Sequence, residues 1–157
     1  MALVRRIARP LLSSIFIYGG QEALRNADAK VAAADKIVAR LPPKLPMIGT
    51  TKQLVQADAV AKIAGGVLLA TGRAPRLAAL GLAVSLVPTT LAGHRFWEEK
   101  DPQKRKLQQL QFAKNASILG GVLLAVVDTH GKPSVAWRAK RAAADLRDAA
   151  ADKLPTG

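Results

Sequence analysis

Gly65-Gly66-Val67-Leu68-Leu69-Ala70 recurs letter for letter at Gly120-Gly121-Val122-Leu123-Leu124-Ala125, each copy inside an uncharged stretch that ends near a helix stop. A glycine in a helix interior costs about 1 kcal/mol relative to alanine, so a pair of them needs compensation. Compensation comes where helix backbones approach closely, above all inside a bilayer, where small residues line the contacts. The repeat therefore predicts two related helical units built around close-packed glycines. Gly19-Gly20 places a third pair in the first apolar stretch.

Around the first copy, Thr51 reads as an N-cap, and the helix it starts runs to Thr71 with Gly72 just past its end. Pro75 opens the next helix, which carries no charge from Leu77 to Gly93 and is interrupted by Pro88. Ser85, Thr89 and Thr90 are placed to satisfy carbonyls that Pro88 frees, as happens in membrane helices. His94, Arg95, Phe96 and Trp97 follow at once, in the manner of an interfacial belt. Around the second copy, Asp101-Pro102 is a strong helix start, and that helix runs to about Val127, polar at first and apolar from Ala116.

Upstream, Arg5, Arg6 and Arg9 precede an uncharged run from Pro10 to Gln21 within a helix over residues 3–24. Ala27-Asp28-Ala29 stands at signal-cleavage distance from that run, so it also reads as a secretory signal. The later apolar segments require a membrane in either case. Residues 28–41 place Val31, Ile37, Val38 and Leu41 at helical spacing among charges, a short amphipathic surface helix stopped by Pro42-Pro43. After Gly131, Pro133 and Ser134, an alanine-rich basic helix from Val135 to about Leu154 carries Trp137, Arg138, Lys140 and Arg141. Its apolar face is mostly alanine, so it reads as a surface helix drawn to anionic lipid.

The length of 157 residues fits one domain, and the composition is 50% hydrophobic with only 4% aromatic residues. Ala, Leu, Val and Ile suit helices, whereas so few rings would pack a soluble core thinly. A net charge of +13 fits nucleic acid or an anionic membrane surface. A soluble basic bundle bound to nucleic acid would cluster its Lys and Arg on one face. Here they flank each apolar stretch, which favours the membrane and leaves no nucleic-acid partner. A spanning helix needs about 20 mostly apolar residues, and each segment meets a charge within that length. Four such segments, with glycine pairs, proline and aromatics where membrane helices place them, still predict an all-α integral membrane four-helix bundle. The expected division is a transmembrane domain over residues 1–130 and a basic cytoplasmic tail over residues 131–157.

Orientation rests on the basic flanks. Arg5, Arg6, Arg9, Arg73, Arg76 and the tail put 11 Lys or Arg on one side, against 12 in the loops of the other. The first helix and the short loop usually decide, so a multi-pass cell-membrane protein with both termini in the cytoplasm is expected.

Asp58 and Lys62 lie four residues apart on one helix face, less than two turns before Gly65, with the acid ahead of the base. Ionisable residues at membrane depth are costly and mark candidate sites. Two readings stand: a pair that satisfies itself, with Lys62 reaching to the boundary, or a functional site. Glu22 could pair with Arg25 or turn inward to Lys62, and Asn115 and Ser117 enter their helix near the depth of His94. His94 is either an interfacial residue at a helix end or a ligand or proton carrier for a quinone-like headgroup, since imidazole titrates near neutral pH. Asp58, Lys62 and His94 are thus the candidate cofactor-binding residues, with quinone the cofactor they would suit.

No catalytic constellation stands out. The two histidines, His94 and His130, are expected at opposite ends of the third and fourth spans, which leaves no metal set and no haem held by two histidines. There is no phosphate loop, nucleophile elbow or dinucleotide fingerprint. The absence of cysteine removes disulfides, thiol redox chemistry and cysteine-ligated clusters.

The run Ser85-Leu86-Val87-Pro88-Thr89-Thr90-Leu91-Ala92-Gly93-His94-Arg95-Phe96-Trp97-Glu98 resembles the DoxX family of small bacterial membrane proteins, particularly its actinobacterial members. The likeness extends to Ala8-Arg9-Pro10-Leu11-Leu12 with Ile15-Phe16 and Gly19-Gly20, and to Ala70-Thr71-Gly72-Arg73 with Pro75-Arg76-Leu77. Lys114-Asn115 before Gly120-Gly121, then Asp128-Thr129 and Gly131-Lys132-Pro133-Ser134, carry it over nearly the whole chain. The resemblance implies four membrane helices. It also implies association with a membrane-bound oxidoreductase complex joining a superoxide dismutase and a thiosulfate sulfurtransferase, and a related branch is linked to thiosulfate:quinone oxidoreduction. No catalytic residue carries over. A chain without cysteine suits a scaffold or quinone-facing subunit better than a sulfur-transferring enzyme.

The expected function is a membrane anchor or scaffold subunit of an oxidoreductase complex in oxidative-stress or sulfur-linked redox metabolism. Membrane lipid is the sure partner, and an oligomer is compatible with the design. The alternatives are a quinone-interacting electron-transfer subunit and, behind it, a small-molecule carrier.

Overall fold

A computed structural model describes residues 2–39, 49–129 and 135–151, and among them it contains helices and no strand. In chain order these are α1 (Ala2–Arg25), α2 (Ala27–Val38), α3 (Thr51–Thr71), α4 (Pro75–Gly93), α5 (Pro102–Val127) and α6 (Val135–Ala151). The expected stop at Pro42-Pro43, the stretch from His130 to Ser134 and the end of the tail helix lie outside the described residues. The chain divides into two compact units, Met1–Val127 and Asp128–Gly157.

Local chemistry sets the boundaries. The N-cap of α3 is Thr50, one residue before the expected Thr51: its hydroxyl accepts from the Gln53 N–H while the Gln53 side chain accepts from the Thr50 N–H. Gly72 ends α3 in the left-handed region with φ 72°, as expected for a glycine just past a helix. Asp101 caps α5 through one carboxylate oxygen that accepts from the N–H groups of Gln103 and Lys104. Thr89, inside the turn that Pro88 interrupts, gives its hydroxyl to the Ser85 and Leu86 carbonyls. Of the three hydroxyls expected to serve that turn, Ser85 and Thr90 are engaged elsewhere.

Within the first unit, α3 lies between α1 and α4, α4 also packs on α5, and α2 rests on α3 and α4. The buried cluster is Phe16 of α1, Leu69 of α3, Ala78, Ala79, Leu82, Ala83 and Leu86 of α4, and Val122 of α5. Three alanines on α4 keep that contact narrow. The two glycine pairs of the repeat behave differently. A methyl group on Gly66 would meet Ile17 Cγ1 at 2.7 Å and the Ser13 carbonyl at 3.3 Å, and one on Gly65 would meet Leu82. Gly121 has ordinary contact with Leu12, and Gly120 opens onto free space. Close packing therefore holds for the first copy and for Gly20, whose added methyl would come within 2.7 Å of the Ala59 carbonyl oxygen. In the second copy the same letters leave one glycine unopposed.

Three helices, α3, α4 and α5, are long and apolar enough to cross a membrane. The expectation of four such spans is met by three. The uncharged run of α1 from Pro10 to Gln21 covers only about 18 Å at 1.5 Å per residue, against about 30 Å of hydrocarbon. Even so, α1 packs along α3, with Ser13, Phe16, Gly20 and Ala23 buried.

Ser13 is fully buried at 0% exposure, and its hydroxyl has no hydrogen-bond partner among the described residues. An unsatisfied buried hydroxyl costs free energy that an alanine does not. Ser13→Ala is therefore expected to raise stability by about 1 kcal/mol, read as a later unfolding midpoint in a detergent titration. A loss of similar size would mean that the hydroxyl is satisfied.

In the second unit, α6 exposes every side chain from Trp137 to Asp148. The Arg141 guanidinium lies 5.6 Å from the centre of the Trp137 ring.

Candidate functional site

Asp58, Lys62, Gly65 and Leu69 recur at spacings of four, three and four, and so form one ridge of α3. That ridge faces α4: Gly65 lies against Leu82, and Leu69 joins the cluster with Ala78 and Leu82. The same geometry carries Asp58 and Lys62 into the α3–α4 seam. Lys62 Nζ lies 2.6 Å from Asp58 Oδ2, and Ser85 of α4 donates its hydroxyl to Asp58 Oδ1. Both carboxylate oxygens are engaged, and the second bond ties α3 to α4. Lys62 and Ser85 each lie near the middle of helices that are long and apolar enough to cross a membrane. The Lys62 side chain is 13% exposed and that of Asp58 32%.

Three further polar links join α4 and its C-cap residue to α5. Asn115 Nδ2 donates to Thr90 Oγ1 at 3.1 Å, and the Thr90 side chain is buried. At the end of α4, His94 is the C-cap residue, its N–H bonded to the Thr90 carbonyl and its ring Nδ1 2.8 Å from Gln108 Oε1. Phe96, Trp97 and Phe112 meet edge to face beside it, with centroids 5.0 to 6.1 Å apart. Arg95 there donates to the Leu91 carbonyl and pairs with Glu98. The stretch from His94 to Trp97 expected at a membrane boundary thus forms one aromatic cluster, extended by Phe112 of α5. At the opposite end of the unit, Arg76 of α4 donates to the Val126 carbonyl near the end of α5.

Of the three nominated residues, the structure brings Asp58 and Lys62 together and leaves His94 apart. Nine residues of α4 separate His94 from Ser85, about 13 Å along the axis at 1.5 Å per residue. Glu22 takes neither expected partner: it pairs with Lys30 of α2 at 2.6 Å and accepts from Asn26. Sequence reasoning missed Ser85 as a partner of Asp58, Gln108 as a partner of His94 and Thr90 as a partner of Asn115. The available signal was a short run of hydroxyls, Ser85, Thr89 and Thr90, in an otherwise uncharged helix.

Chemically the cluster is an ion pair with an added hydrogen bond, neutral overall and shared between two helices. Among the described residues no group of His, Cys, Asp and Glu could hold a metal ion. No curated protein and no solved structure matches the chain. A model of the DoxX family, by contrast, matches residues 4–95, from α1 through α4 to the start of the aromatic belt. With more than half of its length matched and three helices fit to cross a bilayer, this membrane protein belongs to the DoxX family.

Proposed function

We propose that the chain is an anchor or scaffold subunit of a membrane oxidoreductase complex, in oxidative-stress or sulfur-linked redox metabolism. Four helices, α1 and α3 to α5, form its membrane bundle, with both termini on the cytoplasmic side. The observation that carries the reading is the closure of its mid-depth charges: Asp58 is occupied on both oxygens by Lys62 and Ser85. A pair spent on holding α3 to α4 adds stability and leaves the loops and tail to meet partners. By family resemblance these partners are a superoxide dismutase and a thiosulfate sulfurtransferase.

A second reading is favoured by one detail. Lys62 has three N–H donors and pairs with Asp58 alone among the described residues, so the ammonium retains capacity to donate. A quinone carbonyl is an acceptor that such a lysine would suit, making the chain an electron-transfer subunit. The two readings separate on extraction of the tagged protein from its native membranes in mild detergent. Stoichiometric redox partners, found by mass spectrometry without quinone in the lipid extract, are the expected result for a scaffold. Bound quinone that is lost in Lys62→Met would overturn the scaffold.

His94 is expected to be dispensable for any such assembly, since Gln108 and the Thr90 carbonyl account for its polar contacts. His94→Ala should leave partner recovery within about twofold of the parent and lower stability by about 1 kcal/mol through the lost side-chain bond. Complete loss of redox activity at normal membrane levels would contradict this.

A further inference from the structure

We propose that α6 is a membrane-surface helix that binds the anionic lipid headgroups of the bilayer, mainly through charge. At about 100° per residue, Ala139, Ala142, Ala143 and Leu146 share one continuous strip of the helix, and each is exposed. Arg138 and Asp145 border the strip on one edge, and Lys140 and Arg147 border it on the other. Trp137, Arg141 and Asp148 occupy the far side, where Arg141 covers the Trp137 ring. This is the arrangement in which an apolar strip enters the headgroup boundary while flanking bases reach the phosphates above it.

Magnitudes decide which interaction dominates. Three alanines and one leucine offer little apolar area, so the strip alone holds the helix weakly. A Lys or Arg near an anionic surface contributes roughly a fivefold increase in the bound-to-free ratio. Arg138, Lys140 and Arg147, set against Asp145 beside Arg138, therefore amount to a factor of roughly 25. The expectation is sharp: α6 binds where anionic lipid is present, releases in salt, and is insensitive to a zwitterionic surface.

The test uses the full chain, which contains no cysteine, so a single cysteine can be labelled without background. Ala139→Cys on the apolar strip and Ala144→Cys on the far side are each labelled with an environment-sensitive fluorophore. The protein is reconstituted in phosphatidylcholine vesicles with or without one third phosphatidylglycerol. The expected result is a blue shift and brightening at position 139 only with phosphatidylglycerol. It should be lost at about 1 M salt, where the screening length is about 3 Å, and lost when Arg138, Lys140 and Arg147 are all changed to glutamine. Equal responses at positions 139 and 144 would overturn the assigned face. Equal responses in the two lipid mixtures would overturn the charge dependence. A response to added single-stranded RNA without any response to phosphatidylglycerol would assign the helix to nucleic acid instead.

Discussion

Lys62→Met alone is expected to destabilise the protein by about 3 kcal/mol, whereas the neutral pair Asp58→Asn with Lys62→Met recovers most of that loss. The single change leaves Asp58 ionised at membrane depth with only the Ser85 hydroxyl to meet it. In the double variant an asparagine still accepts from Ser85, and no charge remains to be neutralised. A thermal or detergent unfolding midpoint, read beside membrane abundance in cells, separates these outcomes. A single variant as stable as the parent would mean that Lys62 does not offset the Asp58 charge.

Gly20→Ala is expected to cost about 1–3 kcal/mol, and Gly120→Ala is expected to cost nothing, although both replace a helical glycine in a pair. At Gly20 the new methyl would sit 2.7 Å from a backbone carbonyl oxygen of α3, which cannot turn aside, so α1 and α3 must separate. Gly66→Ala meets the same seam from the other helix, against Ile17 and the Ser13 carbonyl, and should fall in the same range. At Gly120 nothing lies within 4 Å, and alanine gains helix propensity. Gly66 and Gly120 lie in identical hexapeptides, at the second and first positions, so the local sequence around them is shared. Equal losses at positions 66 and 120 would show that a partner outside this chain covers α5.

Helix boundaries were largely legible in the sequence because they rest on local chemistry. Asp101-Pro102, Pro75 and Gly72 act within a turn of themselves, and the structure keeps each in its expected role. The start of α3 was misplaced by one residue because Thr50 and Thr51 are both capable caps. Only the reciprocal bond with Gln53 selects Thr50. Partnerships across helices were not legible. Glu22 meets Lys30 across the break at Asn26 between α1 and α2, whose angle no residue type specifies. The Asp58–Lys62 pair was readable from its spacing, but Ser85 required the register of α3 against α4. The repeated hexapeptide shows the same limit. Sequence reveals that a glycine lets another backbone approach, and only the fold reveals whether one does.

The central claim is that Asp58, neutralised by Lys62 on its own helix, links α3 to α4 through Ser85, and that neither charge engages a ligand. The most direct measurement is the recovery of redox partners and quinone with the tagged Asp58→Asn, Lys62→Met protein, extracted from native membranes beside the parent chain. The account predicts normal abundance, the same partners in the same stoichiometry, and no difference in extracted quinone. A folded, membrane-inserted double variant that has lost either its partners or a bound quinone would contradict it.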